Sequence, residues 1–161
     1  MSPDTSLALI THTPEQTREI GIDIGRLAQA GDLILLVGDL GTGKTCLAQG
    51  IGRGVGFEGS VSSPSFVLIR EYPARLTLYH IDLYRLDDIE EIAELGLDDY
   101  LLQEGLCVIE WADKAPDFLP NDHLMIRLEH LEENQRRLEF QVYGTRYDKL
   151  LEQLKKKWNL P

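Results

Sequence analysis

Apolar and polar positions along the chain follow three patterns. Residues 33–37 (Leu-Ile-Leu-Leu-Val) and 106–109 (Leu-Cys-Val-Ile) are continuous apolar runs. The first is too short for a helix before the next glycine, and such runs suit strands covered on both faces. The second runs straight into Glu110-Trp111-Ala112-Asp113. Two apolar strands that each end in polar residues predict a parallel pair whose carboxyl ends share a site. Helical spacing appears at Thr17, Ile20, Ile24, Leu27 and Ala28. It follows Thr13-Pro14-Glu15-Gln16, which has a capping Thr, a Pro in the first turn and a Gln to complete a capping box. Further helices are predicted over 45–52, over 86–95 with Ile89, Ile92 and Ala93 on one side, and after Thr145 as a cap. The last carries Tyr147, Leu150, Leu151, Leu154 and Trp158 on one stripe, and its three closing lysines complement the helix dipole. Strict alternation marks Leu124, Ile126 and Leu128, then Leu138, Phe140 and Val142, on either side of 132–135. That pattern predicts a half-exposed antiparallel hairpin. Shorter strands are expected at 7–10, 66–71 and 76–81.

Between the first buried strand and the helix after it lies Gly38-Asp39-Leu40-Gly41-Thr42-Gly43-Lys44-Thr45, which satisfies G-x-x-x-x-G-K-[ST] at every fixed position. Glycines let such a loop curl with its N–H groups inward, at the positive end of a helix, so that phosphate oxygens are cradled. The amides of this loop and of Cys46, which follows it, are candidate phosphate contacts. Lys44 is expected to bridge β- and γ-phosphates, and the Thr45 hydroxyl to ligate Mg²⁺. A magnesium ion prefers six oxygens, so a carboxylate is wanted as well. Glu110, directly after the second buried run, is the leading candidate. Asp82 follows the run 76–81 and is expected at another strand end facing the same crevice. One carboxylate would then serve the metal and the other would position the attacking water, although Asp82 could instead be a helix-capping aspartate ahead of residues 83–87. His80 reads as a packed or hydrogen-bonded strand residue. Trp111 suits either stacking on a partner or nucleotide or a place in the core, and Arg85 suits either phosphate or the neighbouring acids.

The elements together predict an α/β fold, a P-loop NTPase-like three-layer sandwich with a mostly parallel central sheet and a C-terminal antiparallel hairpin plus helix. With 161 residues, of which 43% are hydrophobic and 27% charged, one domain spanning 1–161 is expected. No run approaches the ~20 apolar residues of a membrane span. Asp4 stands where a secretion signal would carry positive charge, so a cytoplasmic location is expected. Cys46 and Cys107 lack CxxC spacing and read as small buried apolar side chains. The net charge of −11 has the wrong sign for gripping a phosphate backbone unaided. Between Asp82 and Glu104 nine acidic residues face only Arg85. This stretch is either a solvated face or a docking surface for a basic partner.

The ordered motifs GDLGTGKT, SSPSF (62–66), YHIDLYRL (79–86), LGLDDY (95–100) and VIEWADK (108–114) resemble the bacterial TsaE family, also called YjeE. The resemblance runs from about Pro14 to Lys114. It implies an ATPase subunit of the machinery that makes N6-threonylcarbamoyladenosine in transfer RNA. The implied partner is a TsaD–TsaB heterodimer, and tRNA would be reached only through that complex. Carried onto this chain, the resemblance implies that Lys44 and the loop amides hold phosphates, and that Thr45 and Glu110 hold Mg²⁺. Asp82 would lie near metal or water, residues 63–66 would form a switch-like loop, and Glu15 would lie near the nucleotide base. Ser65 stands where the family usually has Thr. Two other functions share the same loop. A small-molecule kinase would normally show an arginine-bearing lid and an inserted substrate pocket, whereas Arg53, Arg70, Arg75 and Arg85 are scattered singly. A nucleotide-gated binding module, with hydrolysis incidental, is the alternative from another class.

Overall fold

The computed structural model describes residue 3 and residues 5–39, 41–62, 69–101 and 103–160. Its centre is a seven-stranded sheet, with strands β1 (Thr5–Thr11), β2 (Leu33–Val37), β3 (Ile69–Tyr72), β4 (Leu78–Asp82), β5 (Leu106–Glu110), β6 (His123–His130) and β7 (Arg136–Tyr143). Their order is β1-β7-β6-β2-β5-β4-β3. The four central strands β6, β2, β5 and β4 run parallel. At one edge β3 pairs antiparallel with β4; at the other, β7 pairs antiparallel with β6, and β1 pairs antiparallel with β7, which returns it to the direction of the central strands. Every residue of β2 and β5 is buried, as continuous apolar runs require.

Helices cover both faces. Ile34 and Leu36 of β2 point to a core shared with α1 (Pro14–Leu27), α2 (Lys44–Gly54) and the C-terminal helix Asp148–Lys157. Leu33, Leu35 and Val37 point the other way, onto α3 (Ile89–Glu94) and α4 (Leu97–Leu101). The expected three-layer α/β sandwich is therefore present. The expected hairpin is also present, in the register Leu124 opposite Val142, Ile126 opposite Phe140 and Leu128 opposite Leu138.

Several element boundaries differ from those expected. The acidic stretch forms two short helices instead of one over 86–95. The Asp88 carboxylate accepts from Glu91 N at 2.8 Å while Glu91 accepts from Asp87 N at 3.1 Å, so α3 starts only at Ile89. Gly96, with φ 71°, turns the chain between the two helices. Ile92 is buried as expected, but Ile89 is 66% exposed. Thr145 does not cap the last helix with its side chain; its carbonyl accepts from Asp148 N at 3.3 Å. Tyr147 precedes that helix, and its hydroxyl accepts from Leu33 N at 2.8 Å, which anchors the helix start to β2. Of the strand expected over 66–71, residues 66–68 lie outside the described residues.

Candidate phosphate and metal site

β2 ends at Val37, and α2 begins at Lys44. At Gly38 a Cβ would lie 2.5 Å from the Leu128 carbonyl oxygen, so only glycine lets the loop pass this close to β6. Gly43 precedes α2 with φ 102°, a left-handed conformation that a side chain would strain. The Thr42 hydroxyl donates back to Asp39 O at 2.8 Å, which tightens the turn. Lys44 and Thr45 thus open the first turn of a helix whose orphan N–H groups point toward whatever lies beyond β2.

Lys44 is buried, and its Nζ donates to Gly38 O at 2.6 Å and Asp39 O at 2.7 Å. It also lies 4.3 Å from the centre of the Trp111 ring. Burial pulls its pKa below the usual lysine value, while the negative charges of Glu110, Asp82, Asp39 and Asp113 oppose that shift.

Asp82 and Glu110 end neighbouring parallel strands and sit in register with each other. By strand alternation they share the face of Leu78, Leu106 and Val108, which packs in the core with α1 and α2. Both are buried, at 4% and 2% exposure. Asp82 Oδ1 accepts from Tyr84 N at 2.9 Å, but no helix follows over 83–87, so the carboxylate caps a turn and not the helix weighed for it. Glu110 Oε2 lies 2.5 Å from His80 Nε2. The expected packed, hydrogen-bonded histidine is found, and its partner is the site carboxylate.

Two turns close the crevice. After β5, Trp111 adopts φ 60°, a left-handed conformation that costs a bulky residue about 1–3 kcal/mol. Its N–H bonds to Leu36 O at 3.0 Å, and its ring meets Tyr84 at 4.9 Å. Lys114 Nζ donates to Tyr84 O at 2.5 Å and Leu86 O at 3.2 Å, which fastens the turn after β4 to the one after β5.

The resulting cavity of about 430 Å³ is lined by Gly41, Gly43, Lys44, Thr45, Cys46, Asp82, Tyr84, Arg85, Glu110, Trp111 and Arg136. It gathers most of the sequence-derived candidates. Gly38, Asp39 and Thr42 line a second cavity together with residues 127–130. Glu15 is exposed in the first turn of α1 and lines neither cavity. Leu40 and the switch-like segment 63–66 lie outside the described residues. Burial pushes the Cys107 thiol up to about 12, in keeping with an inert side chain. Cys46, by contrast, is only half-buried and borders the cavity. The sequence reading had not singled out Arg136. Its Nη2 donates to Gly41 O at 3.2 Å, which brings the hairpin onto the phosphate loop.

Thr45, Asp82 and Glu110 offer hydroxyl and carboxylate oxygens, the donor set that Mg²⁺ takes. Among the described residues there is no cluster of three or more His, Cys, Asp or Glu able to hold a metal. A magnesium ion that arrives with nucleotide needs only one or two protein carboxylates, since phosphates and water complete its shell. The residues present therefore fit a nucleotide-borne Mg²⁺.

The family model of the threonylcarbamoyl adenosine biosynthesis protein TsaE matches residues 11–138. The chain belongs to the TsaE family. Among its relatives, the tRNA threonylcarbamoyladenosine biosynthesis protein TsaE of Bacillus subtilis is 38% identical over 151 residues, covering 93% of this chain and 94% of the relative. The protein of the same name from Treponema pallidum is 35% identical, covering 80% of this chain and 96% of the relative. The crystal structure of the Bacillus subtilis protein YdiB superposes with a TM-score of 0.81 at 34% identity, covering 95% of this chain and 96% of that one. Membership in TsaE thus rests on sequence and fold alike. Among the described residues no helix is long and apolar enough to cross a membrane.

Proposed function

We propose that this chain binds ATP with Mg²⁺ and hydrolyses the ATP as a subunit of the machinery that makes N6-threonylcarbamoyladenosine in tRNA, acting on a TsaD–TsaB heterodimer. The observation that carries the reading is the meeting of Lys44 and Thr45, at the start of α2, with Asp82 and Glu110 across one cavity. One ammonium, one hydroxyl and two buried carboxylates at parallel strand ends form the set that phosphoryl transfer to water requires.

In this reading the loop amides and the α2 N-terminus bind the phosphates, and Lys44 exchanges its bonds to Gly38 and Asp39 for bonds to β- and γ-phosphate oxygens. Thr45 and Glu110 hold the Mg²⁺, which when bound neutralises charge on the phosphates. Asp82, through the carboxylate that also holds the Tyr84 turn, orients the attacking water. Trp111 shields Lys44 from solvent and keeps its charge close to the site.

The charge of −11 disfavours direct contact with tRNA, so the reading assigns tRNA to the partner complex. Glu90, Glu94 and Asp98 are exposed on the two helices that follow the cavity-lining Tyr84 and Arg85 in the chain, and these acids suit a basic partner surface. In the isolated chain Lys44 and Arg136 both spend donors on loop carbonyls. Slow turnover alone is therefore expected, with stimulation when a partner engages. The test is ATP turnover by the isolated chain and with added TsaD–TsaB. Marked stimulation supports the reading. Full turnover alone, unchanged by the pair, would favour a self-contained enzyme, and ATP-dependent partner binding without stimulation would favour a nucleotide-gated binding module.

A further inference from the structure

His80 is wholly buried in the middle of β4, on the face that it shares with Leu78 and Asp82. Directly across the ladder it faces Val108, and Glu110 is its diagonal neighbour on the same side of β5. Long side chains reach one another across such diagonals. Among the described residues its imidazole makes one hydrogen bond, from Nε2 to Glu110 Oε2 at 2.5 Å, and its buried Nδ1 finds no partner. A buried ring nitrogen without a partner carries a desolvation penalty, so packing alone does not account for a histidine at this position. The bond it does make is with the carboxylate that closes the phosphate cavity.

We propose that His80 is a positioning residue: its Nε2–H holds one oxygen of Glu110 and so fixes the orientation of the carboxylate that, with Thr45, would hold a divalent cation. A carboxylate accepts only, so the imidazole donates in this bond. Carboxylate ligands depend on such outer contacts for orientation, and loss of an outer partner typically weakens metal binding about 10–100-fold. Glu110 needs that support, since it stands on the last residue of β5, immediately before the left-handed Trp111. The inference rests on Glu110 being a metal contact, as proposed above.

The test replaces His80 by Gln, Asn and Leu, with Glu110→Gln measured alongside. Gln carries an amide N–H at about the reach of the imidazole Nε2, whereas Asn stops short and Leu has no donor. Two quantities are read: Mn²⁺ affinity in the presence of ADP, by electron paramagnetic resonance, and ADP affinity without metal, by calorimetry. His80→Leu and His80→Asn are expected to weaken Mn²⁺ binding about 10–100-fold while leaving metal-free ADP binding in place. His80→Gln should recover most of the loss. If His80→Leu does not fold, the Gln and Asn pair decides, because both are polar and only one reaches Glu110. Equal Mn²⁺ affinity for Gln and Asn, or parent-like affinity in a folded Leu variant, overturns the proposal. Unchanged Mn²⁺ affinity in Glu110→Gln would instead overturn the metal role of Glu110 itself.

Discussion

Arg136, the first residue of β7, donates from Nη2 to the carbonyl oxygen of Gly41 at 3.2 Å, so the C-terminal hairpin touches the phosphate loop. It adds a cation to a wall that already holds Lys44 and Arg85. Arg136→Ala is expected to weaken Mg²⁺–ATP binding by about tenfold or less, because the guanidinium is partly exposed and its attraction for phosphate is screened. Arg136→Lys should recover part of the loss. Equilibrium titration checks this, and unchanged affinity would reduce Arg136 to a fastener of the hairpin.

The bond to Tyr84 N and the proposed placement of water are two roles of Asp82 that can be separated. Asparagine keeps the oxygen that accepts from Tyr84 N but removes the charge. Asp82→Asn is therefore expected to retain Mg²⁺–ATP affinity and lower turnover by about 10²-fold or more, within the range that acid–base groups contribute. Single-turnover kinetics beside calorimetry measures the split. Equal losses in both would assign Asp82 to the metal shell.

Helices α1 and α2 cross with glycine against glycine, and a Cβ on Gly50 would meet Arg18 O at 2.1 Å and the Gly21 Cα at 2.9 Å. No flexible side chain is there to yield. Gly50→Ala is expected to cost about 1–3 kcal/mol by overpacking, read as a shifted midpoint in urea unfolding. An unchanged midpoint would mean that the helices part without penalty, and the rigid support of the phosphate loop would then need another source.

What the sequence revealed, and what it hid, divides by the range of the interactions. The buried runs ending at Val37 and Ile109, the loop from Gly38 to Thr45 and the strand-end carboxylates Asp82 and Glu110 were legible because each declares itself within a few residues. The break of the acidic stretch is hidden because the apolar spacing of Ile89 and Ile92 imitates one helix, while the Asp88 side-chain cap and Gly96 decide otherwise. Arg136 was not legible, since its meeting with Gly41 depends on β6 pairing with β2, a contact between residues far apart in the chain. The link between His80 and Glu110 was hidden for the same reason. Each residue fits its own strand, and only the register of β4 against β5 joins them.

If the loop through Lys44 binds the phosphates of ATP, calorimetric titration of Mg²⁺–ATP into the parent chain and into Lys44→Ala will show it. Lys44→Ala removes the buried ammonium that sits over Trp111 and leaves the loop glycines in place. Saturable binding to the parent chain is expected, with a loss of about 100-fold or more in the variant, the scale of one or two charge-assisted hydrogen bonds. Equal affinity in both proteins, with the variant folded, would contradict it.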